Sequence, residues 1–100
     1  MMSAGDTIRK LRMEKGLSLK NLSGIVDVNY VYLSRLERGL EIPSESLIKS
    51  LAENLSYEGN IDELIASFGK VPITIKQMIL DDPSAVIELP AFFKSRKTKR

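Results

Sequence analysis

With 100 residues, 43% of them apolar and 28% charged, the chain has room for one compact domain and a short appended element, and its composition is that of a globular protein. It contains neither cysteine nor histidine, which excludes disulfides, thiolate chemistry, the usual zinc sites and most acid/base relays. Without a nucleophile and base pair or a cluster of metal ligands to build from, neither an enzyme nor a cofactor is expected.

The net charge of +2 hides a segregation. Residues 1–43 carry seven Lys/Arg and five Asp/Glu, residues 44–93 carry three and eight, and the tail KSRKTKR (94–100) carries five and none. A polyanion would meet the first segment or the tail and be repelled by the middle, although solvated surface charge is the plainer reading of the same imbalance. No run approaches the roughly 18 apolar residues of a membrane span, and the N-terminus lacks the basic-then-apolar pattern of a secretory signal. A cytoplasmic protein without a membrane partner is the expectation.

In chain order, Asp6 or Gly5 precedes TIRKLRMEK, where Ile8 and Leu11 recur at helical spacing before Gly16 ends the run. Ser18 is a good N-cap for LKNLSGIV, in which Leu19, Leu22 and Val26 line one face and small Ser23 and Gly24 would let a neighbour approach. Asn29 caps the next helix, YVYLSRLER, which should end at Gly39 in a left-handed turn. After LEIP, Ser44 caps ESLIKSLAENL with its stripe of Leu47, Ile48, Leu51, Ala52 and Leu55, and Asn60 with Glu63 forms a capping box for IDELIASF. VPITIKQMIL and DDPSAVIEL read as two further short helices, the second opened by Asp82 with Pro83 in its first turn. The ITI triplet is β-prone, so a strand competes there, and Pro90 should break or kink the last helix before a frayed tail.

Two short helices joined by three or four residues are the architecture of a helix-turn-helix, whose second helix enters the DNA major groove. Any helical hairpin would give that outline, but the phrases IRKLRMEKGLS, YLSRLERG and the PS…L…LAENL of the fourth helix are more specific. Across about 50 residues, Thr7 to Leu55, the chain resembles the Cro and lambda-repressor (Xre-type) helix-turn-helix transcriptional regulators. The resemblance implies an all-α fold, a lambda-repressor-like five-helix DNA-binding domain with a short helical C-terminal extension. The expected limits are 1–68 for the domain, 69–93 for the extension and 94–100 for a basic flexible tail.

Packing asks for Leu22, Ser23, Val26, Val28, Leu33 and Leu36 to face inward, and the family resemblance implies that Glu37 turns in to pair with Arg12 as a structural ion pair. What remains points outward. Tyr30, Val31 and Arg35 occupy positions whose family counterparts read base edges: Arg forks onto guanine O6 and N7, and Val and the Tyr ring pack on thymine methyls. Lys20, Asn29, Ser34 and Arg38 are placed for phosphates. Tyr32 has two readings, packed support or DNA contact. The chain departs from the family at Leu19, where a phosphate-binding Gln is usual, at Leu40, often Lys or Arg, and at Asp27, commonly Gly.

Apolar residues stay dense after the motif: Leu64, Ile65, Phe68, Ile75, Met78, Ile79, Val86, Ile87, Leu89, Phe92 and Phe93. They either form a homodimer surface, setting two recognition helices about 34 Å apart on a palindromic operator, or complete the monomer core. The tail is an arm on phosphates, a docking segment or a solubilising end. The expected function is a sequence-specific, dimeric transcriptional repressor on double-stranded DNA. Its rivals are an antitoxin-type regulator that also binds a protein partner, an antirepressor or toxin, through its C-terminal part, and an interaction module that has lost DNA binding. With no room in this chain for a ligand-sensing domain, control is expected through concentration, proteolysis or a partner.

Overall fold

A computed structural model describes residues 2–85 and 87–90. Six helices have defined bounds: α1 (Ala4–Glu14), α2 (Leu19–Val26), α3 (Tyr30–Glu37), α4 (Glu45–Asn54), α5 (Ile61–Ser67) and α6 (Ile73–Asp81). No strand occurs among the described residues. The β-prone ITI triplet is therefore helical: it forms the first turn of α6, opened by Pro72, whose carbonyl accepts from the amides of Ile75 and Lys76 at 3.0 Å each. Residues up to Lys70 form one compact unit and those from Val71 another.

The first unit is organised by its caps. Ser18, Ser44 and Asn60 each accept a hydrogen bond from the backbone amide three residues on, and Asn29 from the amide of Val31 at 2.7 Å, so one of the orphan donors at the start of each of α2 to α5 is satisfied locally. The expected start of α1 is corrected. Its cap is Ser3 rather than Gly5 or Asp6: the Ser3 hydroxyl accepts from the Asp6 amide at 3.1 Å, and the Asp6 carboxylate accepts from the Ser3 amide at 3.3 Å. This reciprocal box starts the helix three residues early.

That early turn places Gly5 against α3. A Cβ there would run into the carbonyl oxygens of Glu37 and Leu36, the latter at 2.7 Å, so only glycine lets the two helices come so close. Gly24, expected to serve such an approach, faces open space instead; its neighbour Ser23 is the buried small residue, donating its hydroxyl to the Lys20 carbonyl at 2.8 Å.

α3 packs on α1 and α2, and α4 joins α2 to α5. Ile8, Leu22, Leu33, Leu36, Ile48, Leu51 and Ile65 are sealed from solvent, with Leu64 and Phe68 closing the α5 side, and Val26, Val28, Tyr32 and Leu47 pack on the rim. Each fully buried aliphatic side chain contributes about 1.5–3 kcal/mol of transfer free energy. Leu64, Ile65 and Phe68 thus belong to the monomer core.

In the second unit, α6 buries no residue: Ile73, Met78 and Leu80 are exposed, as are Ile87 and Leu89 beyond it. Asp82 ends α6 and starts the next turn, its carboxylate accepting from the amide and hydroxyl of Ser84, and residues 85 and 87–90 are helical. Pro90 itself still lies in the helical run; Val86, Phe92, Phe93 and the tail lie outside the described residues. No helix among the described residues is long and apolar enough to cross a membrane.

Candidate nucleic-acid interface

The turn between α2 and α3 is three residues long, Asp27 to Asn29. Asp27 adopts the left-handed conformation (φ 55°, ψ 52°), and its amide donates to the Ser23 carbonyl. Glycine would hold this shape at less steric cost, but Asp tolerates it better than most side chains. Asn29 then resets the chain and caps α3.

α3 is two-sided. Leu33, Leu36 and Glu37 are buried; Tyr30, Val31, Arg35 and Arg38 are exposed, and Ser34 is half-buried between them. Residues 31, 34, 35 and 38 follow helical spacing, so they share one face, with Tyr30 at its N-terminal edge. Tyr32 leaves this face and packs against the core, which favours its supporting role.

Glu37 is the buried anchor of the opposite side. Arg12 grips it with both ends of the guanidinium, Nε donating to Oε2 at 2.7 Å and Nη2 to Oε1 at 3.1 Å, while Nη1 donates to the Leu17 carbonyl at 2.8 Å. The side chains are only 12% and 5% exposed. The pair locks α3 to α1 and to the loop before α2, and its full hydrogen bonding is what makes burial of two charges tolerable.

The outward residues also have partners. The Lys20 ammonium, on the first turn of α2, lies 5.4 Å from the centre of the Tyr30 ring, a cation–π contact that joins the two helices of the motif on their outer surface. Arg35 Nε donates to Glu41 Oε1 at 3.0 Å, and Arg38 Nε to the Ser34 carbonyl at 3.4 Å. Asn29 spends its side-chain oxygen on the cap of α3. A polar cleft beside this face is lined by Asp6, Arg9, Arg12, Leu19, Ser34, Glu37 and Arg38, so the leucine that stands where the family has Gln opens onto side chains of both charges.

Glu41 has no place among the sequence expectations. It lies six residues from Arg35, beyond the end of the helix, where neither helical nor strand spacing points to a contact. The sequence marks Lys20 only as a phosphate ligand and carries no sign of its ring partner. Among the described residues, no group of acidic side chains is arranged to hold a metal ion.

Comparison with known proteins gives the same frame. A family profile described as "Helix-turn-helix" matches residues 8–59. The HTH-type transcriptional regulator DdrOP3 of Deinococcus deserti is 43% identical over 51 residues, 51% of this chain and 40% of that protein. The transcriptional regulator ClgR of Mycobacterium tuberculosis is 37% identical over 51 residues, 51% of this chain and 46% of that protein. The chain therefore spans less than half the length of these curated relatives. Among solved structures, a chain of the SinR protein/SinI protein complex shares the fold with a TM-score of 0.53 and 24% identity, covering 94% of this chain and 97% of that one. The matched segment begins at Ile8 in α1 and runs past the end of α4, taking in α2, α3 and the turn between them, and the chain belongs to the Xre/Cro-type helix-turn-helix family.

Proposed function

We propose that this chain is a sequence-specific regulator of transcription in the cytoplasm, a dimeric repressor that reads a palindromic operator in double-stranded DNA through α3. The observation that carries the reading is the division of α3 into a face fixed by Leu33, Leu36 and Glu37 and an exposed face bearing Tyr30, Val31 and Arg35. Arg35 reads guanine, and Val31 with the Tyr30 ring meets thymine methyls, each good base contact discriminating by about 1–3 kcal/mol. Lys20, Asn29, Ser34 and Arg38 contact phosphates and fix the docking without specifying sequence.

Dimerisation is supported by the exposed apolar residues of α6 and the turn beyond it, which a second copy would cover. A C2 dimer then sets two α3 helices about one DNA turn, roughly 34 Å, apart. Selection from random duplex DNA at low salt tests both parts: an enriched palindrome is expected. Failure to enrich any sequence would favour the interaction module, the reading motivated by Leu19, Leu40 and Asp27.

A second reading has its own support. The solved structure of similar fold named above is a complex of two different proteins, SinR and SinI, and the apolar surface of α6 suits a heterologous helix as well as a second copy. Under this reading the C-terminal part also takes a protein partner, as an antitoxin or a repressor with its antirepressor does. Co-purification of a small protein encoded beside this one, in place of self-association, would favour it.

A further inference from the structure

The end of α3 is closed by a Schellman turn: the Leu40 amide donates to the Arg35 carbonyl at 2.9 Å and the Gly39 amide to the Leu36 carbonyl at 3.1 Å, with Gly39 at φ 78°. This turn reverses the chain over the last helical turn and brings Glu41 back beside the Arg35 side chain. Gly39 thus does more than end a helix. The resulting pair is partly exposed, 45% for Arg35 and 32% for Glu41, and joins Arg35 Nε to Glu41 Oε1 at 3.0 Å.

We infer that Glu41 is a specificity-determining positioning residue, a carboxylate buttress that holds Arg35 as a base reader and keeps it from acting as a general phosphate ligand. The inference rests on the reading of Arg35 given above. With Nε engaged, the guanidinium offers its two terminal nitrogens, Nη1 and Nη2, as an end-on fork, the arrangement that matches O6 and N7 of one guanine. An unbuttressed arginine at this point would swing among nearby phosphates and release a counterion on any duplex. The carboxylate opposes that use twice: it neutralises the local charge, and it is itself repelled by phosphate oxygens. Glu41 therefore exchanges affinity for all DNA against discrimination at one base pair.

The test compares wild type with Glu41→Ala, Glu41→Gln, Arg35→Ala and the double variant Arg35→Ala/Glu41→Ala. Each is measured on a selected duplex, on the same duplex with single base pairs changed, and on unrelated duplex, across a range of salt. Glu41→Ala is expected to reduce the preference at the Arg35 base pair by up to about fivefold, the scale of an exposed ion pair. It should bind unrelated duplex more tightly, with a salt slope steeper by about one phosphate contact, near 0.9. Glu41→Gln keeps a hydrogen-bond acceptor but loses the charge, so it should retain more of the preference while gaining the same slope. In the double variant both effects disappear, because there is no arginine left to hold. If Arg35→Ala removes a base preference but Glu41→Ala changes neither preference nor slope, or weakens all duplexes equally, the buttress is overturned. If Arg35→Ala removes no base preference, the reading of α3 fails first. Thermal melts of each variant verify that the fold persists.

Discussion

Ile8, Leu22, Leu33, Leu36, Ile48, Leu51 and Ile65 are sealed inside the unit built by α1 to α5, whereas α6, with Ile73, Met78 and Leu80, buries no residue at all. Both regions are rich in the same aliphatic side chains. The difference is in what surrounds them: the first region supplies five helices with complementary stripes, closed by a buried ion pair, and the second displays its apolar groups to solvent. Apolar density in a sequence therefore announces a surface to be covered without saying what covers it. In this chain the first outcome holds the motif together, and the second leaves the apolar side chains of α6 exposed, the surface to which the proposed function assigns a partner.

The largest expected effect breaks the first region. Arg12→Ala leaves the Glu37 carboxylate buried without its partner and should destabilise the unit by roughly 3–5 kcal/mol, read by urea denaturation at fixed protein concentration. A loss below about 1 kcal/mol would mean that Glu37 finds water and the pair is not an anchor. Next is Leu80→Lys in α6, where the side chain is 72% exposed. Denaturation of the monomer should change by no more than about 0.5 kcal/mol. Self-association, read by sedimentation over a concentration series, should weaken by about 1.5–3 kcal/mol, the value of one large aliphatic group withdrawn from an interface. A chain that stays monomeric at tens of micromolar before substitution would assign α6 another role. The smallest effect belongs to the outward face of α3: Tyr30→Ala and Arg35→Ala should each shift stability by about 0.5 kcal/mol or less, since both side chains are partly exposed and their contacts to Lys20 and Glu41 lie at the surface.

How much was legible in the sequence follows the range of the interactions. The starts of α2 to α5 were readable because Ser18, Asn29, Ser44 and Asn60 act on amides two or three residues away. The same logic applied to Ser3 and Asp6, but the apolar rhythm begins only at Ile8 and drew the expected helix start with it. Gly5 and Gly24 look alike as letters; only packing against the carbonyls of α3 distinguishes the glycine at a close approach from the one facing solvent. Arg12 and Glu37, 25 residues apart, were paired through the family resemblance rather than through any spacing rule. Arg35 and Glu41 had no such guide, because their contact depends on the Schellman turn at Gly39, a three-dimensional reversal that no periodic pattern encodes.

Under the proposed function, α3 holds the fold with one face and reads bases with the other. The most direct measurement is binding of wild type and Arg35→Ala to a selected operator in which every base pair is changed in turn, at constant salt. Wild type should lose about 1–3 kcal/mol when one particular G·C pair is changed, while Arg35→Ala becomes indifferent at that pair and keeps its preferences elsewhere. A uniform loss of affinity across all sequences, with the pattern of preferences intact, would make Arg35 a phosphate contact and contradict the account.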